Sequence, residues 1–360
     1  METVNYDVLD RVKLRCIEAS KRTLEFSPLG KVKGLGGSAN IFSLDLTNFK
    51  DSLSLSLIPE GLGTADDARP EDLTPDELRE FWYNIAFKVL SSLTNDAASS
   101  GLQSVAVGLY LPSSTPETVF TEQFLDGFLD GFVEGCKRIG CVYLSGETPQ
   151  LKTKIYPGML DLAGAVFAVA PHRAVDGSEL GVGDKIVFLE SSGPHENGFT
   201  TLRAFAEKVG YRSKLKSGVE LWRAMNAPSV LYTPIVQEIL KRGINITGFE
   251  HITGHGWQKI MRSKRPLKYV IDNPLPVKEV FSYFEEKQQI SRKDLVSIFN
   301  CGAGFAVFCK DDPEKVVAIA KSYGINAACV GYVESSSARQ VVVPSWNVTL
   351  DGDQFLLGKG

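Results

Sequence analysis

The segment Ser191-Ser192-Gly193-Pro194-His195-Glu196-Asn197-Gly198 lies between an apolar, strand-like run and a helix-like run. Glycine and proline at these spacings make a rigid turn with exposed backbone N–H groups, and His195 and Asn197 add side chains that handle protons and hold an oxyanion. The chain has four histidines, and His195, His251 and His255 all sit in glycine-containing loops rather than on apolar stripes. His251-Ile252-Thr253-Gly254-His255-Gly256 is too glycine-punctuated for its His-x-x-x-His spacing to make a helical metal pair; general acid or base work, or oxyanion stabilisation, suits it better.

Gly34–Ser38, Glu60–Thr64, Asn95–Asp96 and Gly146–Thr148 combine, to differing degrees, glycines that let a backbone approach a ligand, an acid or amide, and a hydroxyl. Taken singly, Glu60, Asp96 and Glu147 each read as a helix cap or a turn acid. Taken as a set at element ends in one half of the chain, they read as hard oxygen ligands for magnesium bound to a polyphosphate. The basic run from Lys259 to Lys268 reads as a solvated helix face and turn rather than a phosphate-binding patch.

Positioning these loops takes more than one ordinary core. At 360 residues, with 43% hydrophobic and 23% charged residues, the chain predicts two globular domains. A net charge of −4 and the lack of a long basic stripe argue against nucleic acid as a partner. The six cysteines lie mostly in apolar runs with no C-x-x-C pair, which predicts reduced, buried thiols in a cytoplasmic protein and no structural zinc. The first ten residues lack the apolar region of a signal peptide, and no run is long enough to span a membrane.

The strongest helix start is Thr74-Pro75-Asp76-Glu77, a capping box with proline at the first helical position; Leu78, Phe81, Trp82, Ile85, Val89 and Leu93 then form one apolar stripe. Phe124, Phe128, Phe132 and Cys136 mark another core-facing helix. Strands and helices alternate through both halves, which predicts an α/β (α+β) protein of two sandwiches with a boundary near Pro171–Gly183: an N-terminal domain over 1–170, a C-terminal domain over 171–346, and a tail over 347–360. The tail is expected to be a flexible end.

In order and approximate spacing, Ser191–Gly198, His251–Gly256, Ala227-Pro228-Ser229, Phe299-Asn300-Cys301-Gly302, Gly34–Ser38 and Gly146-Glu147-Thr148 resemble the aminoimidazole ribonucleotide synthetase (phosphoribosylformylglycinamidine cyclo-ligase) family over about residues 6–345. The resemblance implies a two-domain ATP-binding synthetase fold, and a homodimer whose N-terminal sheets pair into a barrel. It also implies ATP and Mg2+ as cofactors and a small nucleotide as substrate, with ring closure through a phosphorylated amide in purine biosynthesis. It places Lys13, Gly34, Gly36, Gly37, Ser38, Gly61, Gly63 and Thr64 at the nucleotide. Glu60, Asp96 and Glu147 would hold the metal, and His195, Asn197 and His251 would be catalytic. The wider superfamily also contains small-molecule kinases, and a nucleotide-binding dimeric pseudoenzyme is a further alternative. Among the departures from the family pattern, Glu60 replaces an aspartate, Ala65 a lysine and His255 a glycine, with further differences at Ala97-Ala98 and over Lys154–Leu160. Loss of a cation beside phosphates removes a charge-assisted hydrogen bond of about 1.5–3 kcal/mol.

Overall fold

The computed structural model describes residues 6–34, 39–49, 52–262 and 265–352. Thr74 caps the helix Pro75–Ala98: its hydroxyl accepts from the Glu77 N–H and the Glu77 carboxylate accepts from the Thr74 N–H, an arrangement worth about 1 kcal/mol. The burial of this helix is wider than the expected stripe. From Phe81 onward nearly its whole circumference is covered, and Lys88, Ser91, Ser92, Thr94 and Asn95 are buried with the apolar residues. Polar side chains that far inside need partners: Ser92 and Thr94 bond back to the Val89 and Leu90 carbonyls of their own helix, whereas Lys88, Ser91 and Asn95 find theirs in the loops of the second half.

The helix Glu122–Ile139 packs beside it, with Phe124, Phe128 and Phe132 stacked at 5.1 and 5.8 Å between ring centres. Both cover a four-stranded sheet in the order Leu55–Gly61, Ala163–Val169, Gln103–Tyr110, Val142–Glu147; only the last pair is parallel. A seven-stranded sheet builds the other half, in the order Val348–Asp351, Gln340–Val343, Leu267–Ile271, Ala327–Ser335, Lys185–Glu190, Ala303–Cys309, Ile246–His251. It is antiparallel except where Gln340–Val343 meets Leu267–Ile271. This is the mixed α/β architecture expected, and one hydrophobic cluster runs from the N-terminal helices into Trp222, Trp257 and Phe281.

The differences from expectation have local causes. Val348–Asp351, expected in a flexible tail, is a strand: Val348 and Leu350 alternate inward and the segment pairs with Gln340–Val343. Gly30–Gly34 is a strand paired with Ile41–Leu44 rather than the start of a loop, so Gly34 closes a strand; Gly36, Gly37 and Ser38 lie outside the described residues. Ile246–His251 runs further than expected, which makes His251 a strand-end residue held by the ladder to Phe305. The six cysteines are free, and no described helix is long and apolar enough to cross a membrane.

Candidate active site

A cavity of about 310 Å³ opens where the end of the strand Leu55–Gly61, the last turns of the helix Pro75–Ala98, the Ser191–Gly198 loop and the end of the strand Ile246–His251 converge. Of the residues singled out in the sequence, Glu60, Gly61, Gly63, Thr64, Asp96, Asn197 and His251 line it. The other described residues are elsewhere. Lys13 is exposed on the helix Tyr6–Lys21. Glu147 is exposed at a strand end, where its carboxylate accepts from the Thr148 N–H at 3.2 Å. His195 is buried behind the cavity. His255, at the departure from the family's glycine, is also outside it: exposed, with φ 69°, it precedes the short helix Gly256–Met261. Ala65 is buried in the core rather than in the cavity wall.

His251 is the electrostatic centre. Its Nδ1 donates to Asp96 Oδ1 at 2.7 Å, and its Nε2 lies 3.2 Å from Glu196 Oε1, a charge contact without good hydrogen-bond alignment. Burial opposes a charge on the ring, but the Glu196 and Asp96 carboxylates outweigh it and lift the imidazole to about 9. Burial likewise pushes the Glu196 carboxyl up, yet His251 and the Ser91 hydroxyl hold it at about 2. At neutral pH His251 is therefore an imidazolium and Glu196 a carboxylate. With both ring nitrogens protonated, His251 has no lone pair to take a proton, so it fixes two acids in place rather than acting as a base.

His195 does something different. Its Nε2 accepts from the backbone N–H groups of Ser192 and Val230, both at 3.3 Å, and burial, with the charges of Lys88 and His251 behind it, holds the ring at about 3 and neutral. Those two donors require the proton on Nδ1. The donor atoms of His195, Glu196 and His251 lie within 4.8 Å of one another. This is not a three-ligand metal site, because His195 Nδ1–H has no lone pair to offer. His195 is a loop-holding residue: its ring ties Ser192 to Val230, and its backbone sits at φ 58°.

The rest of the loop is anchored by polar groups from distant segments. Lys88 Nζ donates to the carbonyls of His195 and Ala227. Asn300 accepts from Ser191 Oγ at 2.8 Å and donates to Gly193 O at 2.9 Å, while Trp257 Nε1 donates to Asn300 O. Asn95 bridges the Val230 carbonyl and the Tyr232 N–H, each at 2.8 Å. Gly198 has φ 78°, and a Cβ there would come 2.3 Å from the Phe299 ring, so no other residue fits this turn into the following helix. The motifs are thus one hydrogen-bonded unit.

Glu196 and Lys259 are the cavity residues that sequence reasoning passed over. Glu196 was visible inside the opening motif, but the neighbouring histidine drew the chemistry. Lys259, only 8% exposed, was taken with the solvated basic run; nothing in its local pattern distinguishes it from Lys264 or Lys268.

Two sheets with an acid-lined cleft between them define an α/β protein built to hold a small polar ligand at its domain junction. The chain belongs to the AIR synthase related family: residues 72–170 match the family's N-terminal domain and 181–344 its C-terminal domain. It is 29% identical over 282 residues to the phosphoribosylformylglycinamidine cyclo-ligase of Methanococcus maripaludis strain C7, covering 75% of this chain and 79% of that one. Among solved structures, thiamine-monophosphate kinase from Stenotrophomonas maltophilia K279a superposes with a TM-score of 0.62 at 14% identity, covering 97% and 99% of the two chains. The hydrogenase maturation protein HypE in complex with ATP superposes with a TM-score of 0.62 at 15% identity, covering 91% and 90%. At these identities the structures share the fold alone.

Proposed function

We propose that this protein is an ATP- and magnesium-dependent cyclo-ligase that converts formylglycinamidine ribonucleotide to aminoimidazole ribonucleotide. The observation that carries the proposal is the convergence, on one cavity, of the glycine segment Glu60–Thr64, Asp96 and the loop residues Glu196–Gly198, in a chain whose curated relative bears the cyclo-ligase name.

The amide oxygen of the substrate attacks the γ-phosphorus of ATP and ADP leaves; the substrate's own amine nitrogen then attacks the activated carbon, phosphate leaves with that oxygen, and a proton is lost as the ring closes. The first turn of the helix Phe199–Val209 borders the cavity, and its N–H groups, which have no partners within the helix, suit phosphate oxygens. Gly61 and Gly63 allow the chain to lie close to the nucleotide. Asn197 would orient the amide that becomes phosphorylated, and His251 would hold Asp96 and Glu196 in position.

The donor set fits magnesium. Glu60 is raised by burial and by neighbouring Asp96 and Glu196, which outweigh the opposing pull of Lys259 and His251, and Asp96 keeps Oδ2 free of His251. Glu60 and Asp96 would hold the ion, which when bound neutralises charge on the phosphates; Glu147 lies outside this set. A homodimer pairing the N-terminal sheets is supported by Leu55 and Leu57, both exposed on the edge strand of that sheet.

The test is to supply purified protein with ATP, Mg2+ and formylglycinamidine ribonucleotide. ADP and aminoimidazole should appear in equal amounts. ADP with a stable phosphorylated product would instead indicate a kinase, and nucleotide binding without turnover a pseudoenzyme.

A further inference from the structure

Lys259 stands apart from every other charged group at the cavity. It sits on the short helix Gly256–Met261, in the C-terminal half, and among the described residues it is the sole lysine or arginine that lines the cavity. Among the described residues its ammonium makes no hydrogen bond and no ion pair within 4 Å, although Glu250, Asp96 and Glu60 are near enough to act on it electrostatically. By contrast Lys88, the other buried lysine, is fully engaged with two carbonyls. A largely buried ammonium left without a bonded partner, in a cleft lined by three carboxylates whose one other cation, His251, is already held between Asp96 and Glu196, is an incomplete arrangement.

The cavity also has an electrostatic problem. Glu60, Asp96 and Glu196 line it, and a polyphosphate entering it meets those carboxylates. The glycine segment that begins at Glu60 brings no cation of its own, because position 65 is an alanine packed in the core. A lysine at that position would have to emerge from the core to reach the cavity.

We infer that Lys259 is the phosphate-contacting cation of this site, supplied from the C-terminal half across the cleft, and that it binds the polyphosphate of the nucleotide in place of a cation from the glycine segment. Burial and the neighbouring Arg262 charge lower the basicity of Lys259, while Glu250, Asp96 and Glu60 favour its charged form. The ammonium is thus held in the cleft by carboxylates but bonded to none of them. Nucleotide binding would give it charge-assisted partners. A lysine serves here as a point charge with rotatable donors, which needs no fixed fork geometry.

The inference rests on the proposed ATP-dependent activity, and the two fail separately. Binding of ATP, ADP and adenosine is measured by titration calorimetry on the full-length protein with Mg2+, for wild type, Lys259→Met and Lys259→Arg. Lys259→Met should weaken ATP about ten- to hundredfold, the range of one charge-assisted hydrogen bond, and should leave adenosine unchanged. Lys259→Arg should recover most of the loss. A merely structural lysine would lower the melting temperature and weaken ATP and adenosine alike, and that result overturns the inference. So does ATP affinity in Lys259→Met equal to wild type. If Lys259→Met does not fold, Lys259→Gln takes its place with the same two outcomes. Wild type that binds no ATP sinks the activity reading itself, whereas wild type that binds and turns over while Lys259→Met matches it removes only this assignment.

Discussion

The two ends of the helix Pro75–Ala98 both connect the halves of the molecule, but by different physics. At its start, Arg212 reaches Asp72, Glu77 and Glu220 at 3.1–3.3 Å, and Arg223 reaches Glu77, Glu80 and Glu220. These side chains are partly open to water, where ion pairs are screened and worth little. Near its end, Lys88, Ser91, Asn95 and Asp96 engage His195, Glu196, Val230, Tyr232 and His251, almost all of them buried. Here each unmatched group would cost about 1–3 kcal/mol, so the contacts define one geometry. The same helix carries a tolerant clamp at one end and a site at the other.

The contrast is sharpest at Asp96. Asp96→Asn should lower turnover on the order of a hundredfold or more, through loss of a metal-binding charge and of the His251 contact, with a melting temperature near wild type because Asp96 is partly exposed. Steady-state kinetics beside a thermal melt checks both halves of that statement; unaltered turnover would remove Asp96 from the site.

Lys88→Met comes next. It leaves the His195 and Ala227 carbonyls without their donor and should destabilise the fold by about 1–3 kcal/mol at pH 9, measured by denaturant unfolding. Its pH dependence has a definite sign. Burial lowers the Lys88 ammonium from 10.5 to about 7, so the folded state sheds that proton before the unfolded state does, and stability rises with pH above 7. The cost of Lys88→Met should therefore be smaller at pH 6 than at pH 9. A cost independent of pH would contradict the assignment of a buried, titrating amine.

The smallest effect belongs to the clamp. Arg212→Ala should change stability only slightly and leave turnover intact. The Glu77 carboxyl is held at about 2 chiefly by Arg212, helped by the Thr74 N–H. The stabilisation this carries is present above its ordinary value of 4.5 and is lost as pH falls through 2, so wild type and Arg212→Ala should converge in acid. If they diverge there, the clamp is not electrostatic.

Legibility in the sequence followed the same division. The cap at Thr74, the phenylalanine stripe and most strands could be read because they depend on neighbours within a few residues. The strand Val348–Asp351 could not, since a short edge strand of mixed polarity shows itself only against its partner. In the site, Glu60, Asp96, Asn197 and His251 were readable as polar residues at element ends. Histidine in a glycine loop suits proton transfer, which makes His195 legible; the backbone donors of Ser192 and Val230 that its ring ties together are not, since they come from its own loop and from thirty-five residues further on. Glu196 and Lys259 depend on how the two sheets meet, and no spacing along the chain encodes that.

The central claim is that the cavity closes a ring through a phosphorylated amide. Formylglycinamidine ribonucleotide labelled with oxygen-18 at the formyl oxygen, incubated with this protein, ATP and Mg2+, tests it directly by mass analysis of the released phosphate. The account predicts one labelled oxygen in each phosphate formed, in step with aminoimidazole. Aminoimidazole formed alongside unlabelled phosphate, or labelled oxygen released as water, would contradict it.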